Sequence, residues 1–104
     1  GGSNSQLYGI MNGGAALALA ETLAGVGSHL LCNEGEIAVG IEVSGNHLNM
    51  ARVGETVTAT ATLLHRGHRQ HVWNVDIRNE EDKLVSTERV VNMIIKKSCS
   101  GLSG

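Results

Sequence analysis

Between Asn12 and Leu31 the chain carries one carboxylate, Glu21, no lysine or arginine, and a run of alanine and leucine that begins Gly13-Gly14-Ala15-Ala16-Leu17. Such a run has high helix propensity, and Asn12 is well suited to cap it. One long helix to about Leu31 is predicted, apolar nearly all round and therefore buried, with a sheet wrapped about it. Everything after it reads differently. Past the turn at Asn33-Glu34-Gly35, β-branched residues concentrate in Ile37–Ser44, Thr56–His65, His71–Ile77 and Leu84–Ile95, which predicts about four strands. In Thr56-Val57-Thr58-Ala59-Thr60-Ala61-Thr62-Leu63 the threonines point one way and the apolar residues the other, as on a half-exposed sheet. His71, Trp73, Val75 and Ile77 share a face in the same manner. Short connections at Arg66-Gly67-His68 and Asn79–Lys83 suit hairpins, so the strands are expected to form an antiparallel meander. One helix on one antiparallel sheet is an α+β fold, and nothing suggests an internal repeat or a second domain.

A chain of 104 residues makes one small domain with little core of its own, and burial against a second copy would help it. The formal charge of -2 leaves no broad basic face for nucleic acid, and no apolar run reaches the length of a membrane span. Cys32 and Cys99 lie far apart without metal-like spacing, so free thiols in a cytoplasmic setting are expected. Residues 1–5 and 97–104 are rich in glycine and serine and read as loose, linker-like ends.

Chemistry has three candidate locations. At the helix start, Gly13 and Gly14 place backbone amides at the positive end of the dipole, where an anion or oxyanion could sit; paired glycines also serve close packing. Glu21, among Leu17, Leu19, Ala20 and Leu23, would be a buried carboxylate unless it reaches solvent or a partner. Gly13 and Glu21 would lie roughly 12 Å apart along one helix, too far to serve one carbonyl carbon. Two antiparallel copies of the helix would bring the amide of one opposite the carboxylate of the other. The third location is His65-Arg66-Gly67-His68-Arg69-Gln70-His71, a basic segment able to hold a phosphorylated ligand or simply to be solvated. Strand alternation would put His65 and His71 on the face opposite His68, with no carboxylate or cysteine to complete a metal site, so no metal is expected. Asn46 and His47 form a further polar pair. No Ser-His-Asp or Cys-His set and no nucleotide-binding glycine motif is present.

Gln6-Leu7-Tyr8-Gly9-Ile10-Met11-Asn12-Gly13-Gly14-Ala15, followed by Leu19-Ala20-Glu21-Thr22, resembles the motif that opens the helix of hotdog-fold acyl-CoA thioesterases. Val39-Gly40-Ile41-Glu42-Val43 with Asn46-His47, then Leu64-His65-Arg66-Gly67 and Val72-Trp73, match in order and spacing. The resemblance covers Gln6 to about Ile95 and is to the branch with 4-hydroxybenzoyl-CoA and 1,4-dihydroxy-2-naphthoyl-CoA thioesterases. It implies a hotdog fold and hydrolysis of a small aromatic acyl-CoA without cofactor. It implies Glu21 as nucleophile or general base, the Gly13 amide as oxyanion donor and Gln6 as a group that positions the carbonyl. Thr22 and Gly14 would lie beside them, and Asn46, His47, His65, Arg66, Gly67 and Arg69 near the CoA arm. Active sites would be shared between subunits of a dimer or dimer of dimers. Asn12 stands where the family has histidine, and it can hydrogen-bond but not exchange a proton near neutral pH. The family's initial helix and first strand have no counterpart before Gln6, so the sheet is expected one strand short. Other readings are a hydratase or dehydratase, since the fold hosts these too, and a non-catalytic acyl-CoA-binding or assembly module.

Overall fold

The computed structural model describes residues 4–10, 15–49 and 54–97. It shows strand β1 (Asn4–Ile10), helix α1 (Ala15–Leu31), and strands β2 (Glu36–His47), β3 (Thr56–Arg66), β4 (Gln70–Arg78) and β5 (Leu84–Lys96). The strands form one antiparallel sheet in the order β1-β3-β4-β5-β2, with α1 packed on one face. The α+β expectation holds, and the observed elements lie within a few residues of the predicted ones.

The strand count differs. Five strands are present rather than about four, because Asn4–Ile10 pairs along β3 from Asn4 opposite Thr62 to Ile10 opposite Thr56. Asn4 and Ser5, expected in a loose end, are therefore strand residues. At the other end, the Lys97 amide donates to the Gly35 carbonyl at 2.6 Å, so this residue too is tied down. The meander is confined to β3-β4-β5. The connection through α1 carries the chain from one edge of the sheet to the other, so β2 joins β5 instead of β3.

Alternation fixes which face meets the helix. Val57, Ala59 and Ala61 of β3, with Trp73, Val75 and Ile77 of β4, are buried under Ala16, Ala20, Leu23 and Ala24. The helix turns small residues toward the sheet at intervals of three and four, which lets backbone and sheet approach closely. Gly27 shows why: a Cβ there would lie 2.6 Å from Trp73 Cη2. The helix is not buried all round, however. Leu17, Val26 and Leu30 are exposed, Leu30 by 75%, since the sheet of one chain covers only one side of α1.

Two bulges re-aim side chains. Between Leu63 and His65 the pairing with β4 slips by one, so Leu63 opposes Trp73 while Arg66 opposes His71. Arg66 thereby turns to the helix side and His65 to the outer face, so His65 and His71 do not share a face as simple alternation predicts. A second slip between Gly40 and Glu42 leaves Gly40, Val43 and Gly45 facing the helix side with Asn92, Val90 and Glu88 of β5. Gly45 leaves the room that the Glu88 carboxylate occupies; Glu88 is buried and accepts a 2.5 Å hydrogen bond from Ser86 Oγ.

Candidate active site

A buried polar cluster lies under the C-terminal half of α1. Ser28 Oγ is met by Trp73 Nε1 at 2.8 Å, Asn92 Nδ2 at 2.9 Å and His71 Nδ1 at 2.8 Å. Indole and amide N–H groups can only donate, so they take both lone pairs of the serine oxygen. The serine proton is left for His71 Nδ1, which must then accept. His71 is accordingly neutral with its proton on Nε2, because a protonated ring would bring a third donor to an oxygen already filled. Burial, and next the nearby Arg66 guanidinium, push the His71 pKa below its ordinary 6.5, in agreement with this tautomer. Asn92 Nδ2 also donates to the Ala24 carbonyl at 3.2 Å, which fixes the amide's orientation.

Asn92 forms part of the wall of a cleft of about 460 Å³ between α1 and the β2–β5 pair, which Glu21, Gly25, Gly40, Val43 and Val90 also line. Glu21 is exposed rather than buried: in one chain it stands at the cleft and meets solvent. Solvation on that side removes the need for a buried partner that an apolar helix suggested. Glu42 adds a second carboxylate to the cleft. Thr22, next in sequence, points elsewhere and donates its hydroxyl to the Ala18 carbonyl at 2.9 Å.

The basic segment gathers at the C-terminal end of the helix. Arg66 Nη2 donates to the Leu31 carbonyl at 3.0 Å, a favourable place for a cation at the negative end of the dipole. Gly67 closes the hairpin by donating to the Gln70 carbonyl at 2.8 Å; a Cβ there would lie 2.9 Å from His65 Nε2. One cleft of about 310 Å³ contains Arg66, Gly67 and His68, and another of about 440 Å³ contains His68, Arg69 and Lys96. Cys32 lies close by, its thiol pKa raised by burial and by the Glu36 carboxylate. Among the described residues no three His, Cys, Asp or Glu side chains converge as a metal site, and no helix is long and apolar enough to cross a membrane.

One chain brings together only some of the predicted site. The Leu31 end of α1, where Arg66 binds, is roughly 15 Å from Glu21 along the helix axis. Asn46 and His47 end β2 opposite Thr87 and Ser86, whereas Glu36, which borders the basic clefts, begins it. The length of the strand, roughly 33 Å, separates that pair from Arg66 and Arg69. Gln6 sits opposite Thr60 on β1, at the sheet edge away from β2 and hence roughly 19 Å across the strands from the strand that walls the Glu21 cleft. Asn12, Gly13 and Gly14 lie outside the described residues. Sequence reading passed over Glu42 and Asn92. The signal for Asn92 was present, a lone amide within Val90-Val91-Asn92-Met93-Ile94-Ile95.

Residues 8–86 match the family model described as Thioesterase superfamily. A putative esterase of Haemophilus influenzae is 40% identical over 90 residues, covering 86% of this chain and 64% of that protein. The 1,4-dihydroxy-2-naphthoyl-CoA hydrolase of Escherichia coli is 37% identical over 91 residues, covering 86% of this chain and 65% of the relative. The chain thus spans just under two thirds of the length of these relatives. A crystal structure of a Haemophilus influenzae thioesterase superposes with a TM-score of 0.81 at 32% identity, over 96% of this chain and 76% of that one.

Proposed function

Because this chain belongs to the thioesterase superfamily, we propose that it hydrolyses a small aromatic acyl-CoA to the free acid and CoA, with Glu21 as the reacting carboxylate. The observation that carries this reading is the position of Glu21, on a rigid helix and open to a cleft large enough for an acyl group. The similarity to a 1,4-dihydroxy-2-naphthoyl-CoA hydrolase supports an aromatic acyl group.

Glu21 either attacks the thioester carbonyl or takes the proton of an attacking water; both form a tetrahedral oxyanion that collapses by breaking the C–S bond. The first leaves a mixed anhydride on Glu21 that water then cleaves, with its proton passing to the CoA thiolate; the second gives the acid directly as Glu21 returns its proton to the thiolate. The Gly13 amide stabilises that oxyanion and Gln6 holds the carbonyl. Asn12, acceptor and donor but no acid, orients substrate without relaying protons. The separation of Gln6 from the Glu21 cleft within one chain supports a site completed by a second copy, in a dimer or dimer of dimers. The basic hairpin, with Arg66 and Arg69 exposed beside two clefts, suits the phosphates of CoA. Asn46 and His47 reach the same ligand only from another subunit. No cofactor takes part in this chemistry, and the free thiol of Cys32 suits a reducing compartment such as the cytoplasm.

Release of free thiol from a panel of aromatic and short aliphatic acyl-CoAs tests the proposal. Glu21→Ala is expected to lower kcat by at least about 100-fold with the fold intact. CoA binding without turnover in the unmodified chain would overturn it in favour of a binding module.

A further inference from the structure

The buried polar cluster under α1 joins two clefts. His71, only 3% exposed, lines the basic cleft of about 310 Å³ at the end of the helix, and Asn92, equally buried, lines the Glu21 cleft of about 460 Å³. Ser28 Oγ stands between them, 2.8 Å from His71 Nδ1 and 2.9 Å from Asn92 Nδ2, and Trp73 Nε1 donates to the same oxygen at 2.8 Å. A hydroxyl has one proton and two lone pairs. With His71 neutral all three are used, since Trp73 and Asn92 donate to Ser28 and Ser28 donates to His71. Both contacts of the Asn92 amide pass through Nδ2, the second to the Ala24 carbonyl at 3.2 Å, so the amide atom left for the cleft is Oδ1. It lies toward Gly40, where a Cβ would be 3.6 Å from it, and among the described residues no donor reaches it.

A proton added to His71 upsets this count. Nε2 already carries one, so the new proton goes to Nδ1 and turns an acceptor into a donor. Three N–H groups then face two lone pairs. If Asn92 stays as it is, Ser28 gives its own proton to the Ala24 carbonyl one turn back, and one buried N–H is left unpaired. If the Asn92 amide turns over, Oδ1 accepts from Ser28 while His71 and Trp73 donate to it, and the cluster is satisfied again. The turned amide gives up the Ala24 contact, the longer of its two, which keeps the first arrangement ahead while His71 is uncharged. We propose that His71 is a positioning residue for the Glu21 cleft: acting through Ser28, it presents Asn92 Oδ1 to the cleft when neutral and Asn92 Nδ2–H when protonated. The wall of the cleft thereby changes from acceptor to donor as pH falls. Burial opposes the added charge most, Arg66 of β3 next, and Glu36 at the start of β2 favours it, ahead of a lesser opposition from His65. His68 of the hairpin lines the same basic cleft, whereas α1 and β5 meet the ring with the uncharged Ser28 and Asn92. The change therefore falls below pH 6.5. The switch itself is independent of the thioesterase reading; its effect on substrate rests on that reading.

NMR of the full chain from pH 7.5 to 5, following the His71 ring and the Asn92 side-chain amide together, tests this. As the ring titrates, the Asn92 Nδ2 protons are expected to approach the Gly40 Hα protons and to exchange faster with water, although base-catalysed exchange alone slows as pH falls. Trp73→Phe removes one donor, so Ser28 can accept from both His71 and Asn92; there His71 should titrate while Asn92 stays in place. His71→Gln, whose amide accepts or donates without a change of charge, should also abolish the response to pH, and serves where Trp73→Phe fails to fold. KM for a hydrolysed acyl-CoA is expected to change at least about threefold across the titration in the unmodified chain and in neither variant. An Asn92 amide that stays in place while His71 titrates, one that turns with pH in either variant, a KM that ignores the turn, or a chain that unfolds before His71 takes up its proton overturns the inference. Absence of thiol release with the turn intact overturns the thioesterase reading alone.

Discussion

Ser28 satisfies three buried side chains with one hydroxyl, so its loss should be costly out of proportion to its size. Ser28→Ala leaves Trp73 Nε1, His71 Nδ1 and one Asn92 contact unpaired and is expected to lower stability by about 2–3 kcal/mol, read from the urea unfolding midpoint. The same cluster makes the fold sensitive to acid. The His71 pKa is depressed in the folded state, so on acidification the unfolded chain takes up this proton first. Stability contributed by neutral His71 is present above 6.5 and is lost as pH falls below it toward the lowered folded value. Unfolding midpoints measured from pH 7.5 down to 5 should fall, and His71→Gln, whose carbonyl can still accept from Ser28, should flatten that slope. An unchanged slope in the variant would assign the effect to other groups.

At the scale of elements, the sequence made the helix and the four later strands legible because hydrophobic period and β-branched content act locally. It made β1 hard to see: Asn4-Ser5-Gln6-Leu7-Tyr8-Gly9-Ile10 has little β-branched content, and its strand identity comes from pairing with β3. The bulge at Leu64 was equally hidden, since a register slip is set by the partner strand and not by spacing along one strand. That slip decides where the basic hairpin acts, because it turns Arg66 back to the helix end. Glu21 was legible as an exceptional residue from its apolar neighbours, but its exposure was not, since the sheet's coverage of α1 depends on the whole arrangement. Arg66→Ala is expected to lower stability by at most about 1 kcal/mol, as its contact with Leu31 is solvent-exposed. Its larger effect should be on KM for acyl-CoA, with little change for the same acyl group on a truncated thiol lacking the nucleotide. Equal losses on both substrates would remove the hairpin from CoA recognition.

For the whole molecule, Leu17, Val26 and Leu30 on α1, with Val39 and Ile41 on the edge strand β2, are exposed apolar residues that a second copy would cover. Light scattering is expected to give at least twice the monomer mass of 10.9 kDa, and a charge introduced by Val26→Glu should shift it downward. The proposed site also calls for assembly, since Gln6 lies on the edge strand β1 whereas Glu21, on α1, borders the cleft walled by β2 at the other edge. Mixing two inactive variants, Gln6→Ala and Glu21→Ala, after joint unfolding and refolding tests this most directly. In a site built from two copies, half of the random dimers regain one complete site, so thiol release from a hydrolysed acyl-CoA should return to about a quarter of the unmodified rate. A mixture as inactive as its components would contradict the account, placing the whole reacting set within one chain.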